Sequence, residues 1–215
     1  MLDSNLNFLN KSTKYPYKIN NDEVLISIHD KIYLLYNKKT TYIECIFENS
    51  LKYIQSGYHL NNLELSDGYV KFLMTKIKIP NNCLVLGLCI GNIPNELIGK
   101  YKSIKKIDCV EINPLLCKLY NEYFKISSKI NIYEDSAANF VNRITNKYDT
   151  IIIDIPFEFY NSKFMKRIKL ILEYNGKVYI NIYGANNKKI NEKLFDDFSN
   201  INYTRISNNN IYILN

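Results

Sequence analysis

Apolar and polar positions follow two different patterns along the chain. Across residues 22–58 the short β-rich runs EVLISIH, KIYLLYN, TYIECIF and LKYIQSG are separated by Lys-Lys-Thr and Glu-Asn-Ser turns. That spacing predicts a meander of small antiparallel strands. From residue 81 onward, continuous apolar runs alternate with helical patterns. CLVLGL, KIDCVEI, KINIYE, DTIIIDI and GKVYINIY read as buried strands, with INYTRI and NIYILN closing the chain. Helices are predicted from about Pro94, from Pro114, near Ala137, up to Tyr174, and from Asn187. Strands without a polar face, interleaved with helices, are the pattern of a mostly parallel, doubly wound α/β sheet covered on both faces. Between the two textures, Tyr69, Phe72, Leu73 and Ile77 recur at the spacing of an amphipathic helix. The resulting plan is a flexible arm over 1–20, a small N-terminal β-domain over 21–66, a connecting helix over 67–80 and a Rossmann-like domain over 81–215. Its 215 residues suit one such core with an appendage.

In an open α/β sheet the ligand lies beyond the carboxyl ends of the strands, where strand order reverses. Four strand ends carry suitable residues. LVLGLCIGN places Gly87 and Gly91 in a strand-to-helix turn, where the backbone can approach a ligand closely. Cys89 and Asn92 stand where a dinucleotide fingerprint needs glycines, which argues against NAD. Glu111 ends the next strand at the distance from the loop at which a carboxylate accepts ribose hydroxyls. Asp135, with the Ser136 amide, follows the third strand, where the pair can read an adenine edge. Asp154 follows the fourth. Each also has a plain structural use: turn glycines, an interaction with the helix start at Asn113-Pro114 for Glu111, an N-cap for Asp135, a turn aspartate for Asp154. Their joint occurrence at successive strand ends is what points to a nucleoside.

Taken together, these residues resemble the spermidine synthase-like (polyamine aminopropyltransferase) branch of the class I S-adenosylmethionine-dependent methyltransferase fold. The resemblance runs from YIQSG through the glycine loop, VEINP, EDSAANF and YDTIIIDI to NNNIYIL. It implies that Gly87 and Gly91 flank the nucleoside, Glu111 holds the ribose, Ile112 packs on adenine and Asp135 reads it. It also implies that Asp154 orients and deprotonates the attacking amine and that Gln55 lies near the propylamine arm. The sequence departs from the family at three places. Ile90 replaces a loop aspartate that grips the donor's amine. SDGYVKFLM keeps only Asp67 of an acidic Tyr-His-Glu run. The Asp-Ser-Ser-Asp-Pro gate becomes Asp154-Ile155-Pro156-Phe157-Glu158, with Glu158 in place to replace the second aspartate.

The implied activity is aminopropyl transfer from a sulfonium nucleoside, decarboxylated S-adenosylmethionine or S-adenosylmethionine itself, to a polyamine. Such displacement needs an in-line nucleophile and no metal. Two alternatives remain. One is a catalytically silent binding or assembly protein of the same family. The other is a nucleic-acid methyltransferase, since Asp154-Ile155-Pro156-Phe157 looks like the loop that clamps a flipped adenine. The net charge of +7 invites a nucleic-acid partner, but the excess is spread along the chain and makes that partner less favoured. No run approaches about 18 apolar residues and the polar start lacks a signal-peptide pattern, so a cytoplasmic protein without membrane contact is expected. Five cysteines without a CxxC pair indicate neither a zinc site nor a disulfide framework. His29 on a strand and His59 in a loop read as structural or exposed. The family resemblance and the edges of a small β-domain imply a homodimer.

Overall fold

The computed structural model describes residues 24–29, 32–37, 42–47, 56–59, 68–184 and 192–215. Five strands run parallel: β5 (Asn82–Leu86), β6 (Lys106–Glu111), β7 (Ile130–Glu134), β8 (Tyr148–Ile153) and β9 (Leu172–Tyr183). A hairpin of β10 (Ile201–Ile206) and β11 (Asn209–Leu214) joins β9 in antiparallel sense. The order across the sheet is β10-β11-β9-β8-β5-β6-β7. From β5 the chain moves outward through β6 and β7, then returns to lay β8 on the other side of β5. Strand order thus reverses at β5, which fixes where a ligand can enter.

The apolar runs are continuous because each strand feeds two cores. Cys83 and Val85 of β5 enter one buried cluster with Ile107, Cys109, Ile152 and Tyr179, whereas Leu84 and Leu86 enter the other with Val110, Ile151, Ile153, Val178 and Ile180. Side chains that alternate at every residue demand apolar chemistry at every position when both faces are covered. On the first face lie α1 (Gly68–Lys76), α2 (Asn92–Lys100) and α3 (Pro114–Leu119), the last running on into a π-helical turn over Tyr120–Phe124. On the second lie α4 (Ala137–Arg143) and α5 (Ser162–Ile171). Local chemistry starts three of these helices: Asn113, Ser136 and Asn161 each accept a backbone N–H from the first turn.

The antiparallel meander is present as β1 (Val24–His29), β2 (Ile32–Asn37), β3 (Tyr42–Phe47) and β4 (Ser56–His59), paired in chain order. Ile32, Leu34 and Cys45 are buried in the same cluster as α1 and the glycine loop, so this small sheet shares a core with the large one. His59, predicted in a loop, closes β4.

The end of α5 differs from the sequence pattern. The periodicity predicts a helix running to Tyr174, but α5 ends at Ile171 and Leu172 already belongs to β9. Pairing jumps from Tyr148↔Leu172 to Thr150↔Lys177, so residues 173–176 bulge from the ladder, and Gly176 fits where a Cβ would stand 3.0 Å from Asp149 O. The helix predicted from Asn187 starts outside the described residues, which resume in a 3-10 turn at Glu192–Phe195.

Candidate functional site

The carboxyl ends of β5, β6, β7 and β8 are laced together by backbone hydrogen bonds beyond the regular ladder. Gly87 N donates to Val110 O (2.9 Å), Asp154 N to Leu86 O (2.8 Å) and Asp135 N to Glu111 O (3.0 Å). These bonds bring Gly87, Glu111, Asp135 and Asp154 into one row at the sheet's edge. Gly87 has φ of 94°, and a Cβ there would lie 2.2 Å from Asp154 O, so glycine is required by both conformation and contact. Gly91, with φ of 80°, is needed for a different neighbour. A Cβ would lie 1.8 Å from the Tyr120 ring, whose hydroxyl donates to Asn95 Oδ1 (2.6 Å). The π-helical turn that begins at Tyr120 therefore buttresses the start of α2, a contact not visible in the loop's own residues.

Glu111 faces the loop. Its Oε2 accepts the N–H of Leu88 and of Cys89, each at 3.1 Å, and its Oε1 accepts the N–H of Asn113 (2.9 Å). The helix-start interaction is thus real, and the same carboxylate also orders the glycine loop. Its neighbour Ile112 is 67% exposed, an apolar surface free to take a flat ligand ring. Asp135 accepts the Ser136 N–H (2.8 Å) and pairs with Arg143 (2.8 Å). Ser136, not Asp135, caps α4.

Asp154 is held from two distant elements. Tyr69 of α1 donates its hydroxyl to Oδ2 (2.8 Å), and Asn181 of β9 donates its amide to Oδ1 (2.8 Å). Burial raises the carboxyl above the ordinary aspartate value, and both hydrogen bonds oppose that shift. The Asn181 side-chain oxygen is buried and has no hydrogen-bond partner among the described residues. A buried acceptor beside a fixed carboxylate suits a ligand with several N–H donors. The other end of α1 is anchored by Tyr101, which donates to Met74 O and Ile77 O, and by Tyr179, which donates to Lys76 O. Tyr69 thereby stands on a helix fixed at its base.

Glu158 lies exposed on the 3-10 turn Phe157–Phe159. Phe157 stacks on Tyr160 at 5.8 Å between centroids and is 43% exposed. Ile90 is fully buried. Gln55 and Asp67 lie outside the described residues. Among the described residues no group of three or more His, Cys, Asp or Glu side chains is placed to hold a metal ion, and no helix is long and apolar enough to cross a membrane.

Sequence reasoning missed Tyr69 and Asn181. Tyr69 was hidden in the apolar stripe of α1. Asn181 did carry a signal, a polar residue inside the apolar run VYINIY, which a buried strand tolerates only with a hydrogen-bond partner.

Residues 69–202 match the family model of the spermine/spermidine synthase domain. A polyamine aminopropyltransferase from Clostridium perfringens is 28% identical over 136 residues, 54% of this chain and 48% of the relative. The chain spans about half the length, or less, of the curated relatives it matches. Among solved structures, a spermidine synthase in complex with the transition-state analogue AdoDATO superposes with a TM-score of 0.67 at 16% identity, covering 90% of this chain and 73% of that one. Human methyltransferase-like protein 13, in complex with SAH, gives 0.55 at 20% identity over 66% of this chain and 74% of that one. These likenesses show a Rossmann-like class I methyltransferase fold.

Proposed function

The chain belongs to the spermine/spermidine synthase domain family, and from that premise we propose that it binds a sulfonium nucleoside and transfers its aminopropyl group to a polyamine amine. The observation that carries this reading is Asp154, fixed between Tyr69 and Asn181 beside a buried oxygen that has no partner among the described residues. An alkylammonium acceptor is unreactive until it loses a proton, and its pKa is near 10 in water. A carboxylate whose pKa is raised by burial is a stronger base than one in water, and positioned bases contribute roughly 10²–10⁴ in rate. Asp154 takes the proton, the Asn181 oxygen accepts a second N–H, and the freed lone pair attacks the carbon next to the sulfonium. The new N–C bond forms as the C–S bond breaks, and a neutral thioether nucleoside leaves. In this reading Glu111 turns from the loop amides toward the ribose hydroxyls, Ile112 covers the adenine, Asp135 and the Ser136 amide read its edge, and Glu158, Gln55 and Asp67 border the acceptor. The reading includes a homodimer and a cytoplasmic setting.

A second reading, a nucleoside-binding member without transfer, draws support from Ile90. A fully buried apolar side chain stands where the family carries the aspartate for the donor's amine. One experiment separates the two. Thermal-shift scans with methylthioadenosine, S-adenosylmethionine and its decarboxylated form should each stabilise the protein, by about 2.7 kcal/mol at a hundredfold excess over the dissociation constant. Chromatographic detection of methylthioadenosine released from the decarboxylated donor in the presence of a polyamine then reports transfer. Asp154→Asn should abolish release and leave methylthioadenosine affinity within about twofold. Binding without release favours the second reading, and absence of any shift overturns both.

A further inference from the structure

The fold sorts charge that looks evenly spread along the chain. Four segments lead into β5, β6, β7 and β8: KIKIPN (76–81), KYKSIKK (100–106), KISSK (125–129) and ITNK (144–147). Together they hold nine lysines and neither Asp nor Glu, and eight of the nine are exposed. The segments at the far ends of the same strands, GLCIGN (87–92), EINP (111–114), EDSA (134–137) and DIPFEFYN (154–161), hold five carboxylates and neither Lys nor Arg. Because the strands are parallel, all entries lie at one end of the sheet and all exits at the other. Hydrogen bonds join the entries into one surface. Lys105 N donates to Asn81 O (2.9 Å), the Ser103 hydroxyl to Pro80 O (2.7 Å), Ile107 N to Lys129 O (2.9 Å), and Asn82 N to Asp149 Oδ2 of β8 (2.7 Å).

A plain structural use accounts for part of this charge. Helices that alternate with the strands end here, and Lys100 and Lys147 donate to Met74 O and Leu170 O in the last turns of α1 and α5. The acids inside the strands are already engaged: fully buried Asp108 holds Lys106 (2.8 Å) and the Tyr148 hydroxyl (2.8 Å), and Asp149 holds backbone N–H groups. Exposed acids border this end at Glu122, which pairs with Lys118, and at Glu173 in the entry to β9. Two apolar side chains stand among the lysines, Ile79 at 82% exposure and Ile126 at 46%. Ile79 has φ of 46°, a costly conformation for a β-branched residue, and Pro80 after it disfavours the right-handed helical alternative.

We propose that the strand-entry end is a peripheral docking surface for an anionic bilayer, with the lysines on the lipid phosphates and the two isoleucines in the headgroup layer. A nucleic-acid strand would use the lysines and leave the isoleucines against a phosphate backbone. The four segments carry no Arg, and their one aromatic residue, Tyr101, is committed to Met74 O and Ile77 O, so no ring is set to stack a base. A bilayer uses both features, since anionic lipids attract a lysine cluster and apolar side chains add burial. Such contact needs neither a spanning helix nor a leader segment. It also turns the row of Glu111, Asp135 and Asp154 away from a surface of like charge.

The docking surface does not depend on the nucleoside site. The test is co-sedimentation of the full chain with phosphatidylcholine vesicles carrying about 30 mol% phosphatidylglycerol, and with phosphatidylcholine alone, at low salt and at about 0.5 M. Partitioning is expected to be at least about tenfold stronger on the anionic vesicles and to be lost at high salt. Joint reversal of three exposed charges, Lys78→Glu, Lys102→Glu and Lys105→Glu, should reduce binding to the level of the neutral vesicles. The same reversal at Lys71, Lys163 and Lys166, away from this end, should change it by less than about threefold. Ile79→Ser should weaken binding about threefold or more and leave the salt dependence in place. Equal partitioning on the two vesicles overturns the proposal, as does equal loss in the two triple variants. Binding to a single-stranded oligonucleotide without binding to vesicles assigns the lysines to nucleic acid and overturns it as well. Should the first triple variant fail to fold, judged by its thermal unfolding midpoint, the salt dependence and Ile79→Ser decide.

Discussion

At the scale of single residues, the clearest constraint is the contact between Gly87 and the backbone of Asp154. A methyl group at Gly87 meets a carbonyl oxygen that belongs to β8's exit and has no rotamer with which to move aside. Gly184 shares a left-handed φ of 70° but has nothing within 4 Å of a built Cβ. Gly184→Ala is therefore expected to cost only the conformational penalty, about 1–2 kcal/mol, and Gly87→Ala about 3 kcal/mol or more, because the backbone must shift as well. Urea unfolding of the two variants checks the difference. Asp154 supplies a second prediction. The Tyr69 hydroxyl opposes the upward shift of its pKa, so Tyr69→Phe should raise that pKa further. A base works only when deprotonated, and the acidic limb of the pH–rate profile for transfer should move to higher pH in the variant. A limb that stays in place would separate Tyr69 from the titration of Asp154.

Among the elements, α2 is unusual in that its first two turns, from Asn92 to Leu97, are buried on all sides. The cause is the large sheet beneath it together with α1 and β4, which both pack on it. This leaves Glu96 only 7% exposed, and burial pushes its carboxyl up to about 7 despite the opposing charge of Lys100 one turn on. The folded pKa lies above the unfolded one, so between about pH 4.5 and 7 the folded chain holds a proton that the unfolded chain releases. Stability from this group is present at acid pH and is lost as pH rises through 7. Glu96→Gln should leave the unfolding midpoint nearly unchanged at pH 4.5 and raise stability at pH 8 by about 1–3 kcal/mol. Thermal scans at the two pH values test the sign as well as the size. Such a helix also explains why amphipathic periodicity is a poor guide here: Asn95, fully buried, is kept by bonds to Phe124 O and the Tyr120 hydroxyl.

For the molecule as a whole, the N-terminal sheet adds Ile32, Leu34 and Cys45 to the core of the larger domain. A four-stranded meander held on one side by that core still has outer strands to satisfy. The homodimer proposed on family grounds answers that need. Light scattering at micromolar concentration should return a mass near twice 25.3 kDa, and deletion of residues 1–20 should leave it unchanged. A monomer mass would count against pairing through this sheet.

The mostly parallel sheet, the helices on both faces and the row of Gly87, Glu111, Asp135 and Asp154 were legible in the sequence. The reason is local: a strand buried on both faces must be apolar throughout, and a ligand site at strand ends sits a residue or two beyond each such run. The end of α5 was not legible, because Leu172 leaves the helix to pair with Tyr148, a preference set by the sheet and not by helical periodicity. Only tertiary structure could join Tyr69 and Asn181 to Asp154 or seat Tyr120 on Gly91. Each of these contacts links segments far apart in the chain, and no residue's neighbours in sequence specify which distant side chain will meet it when two layers close over one sheet.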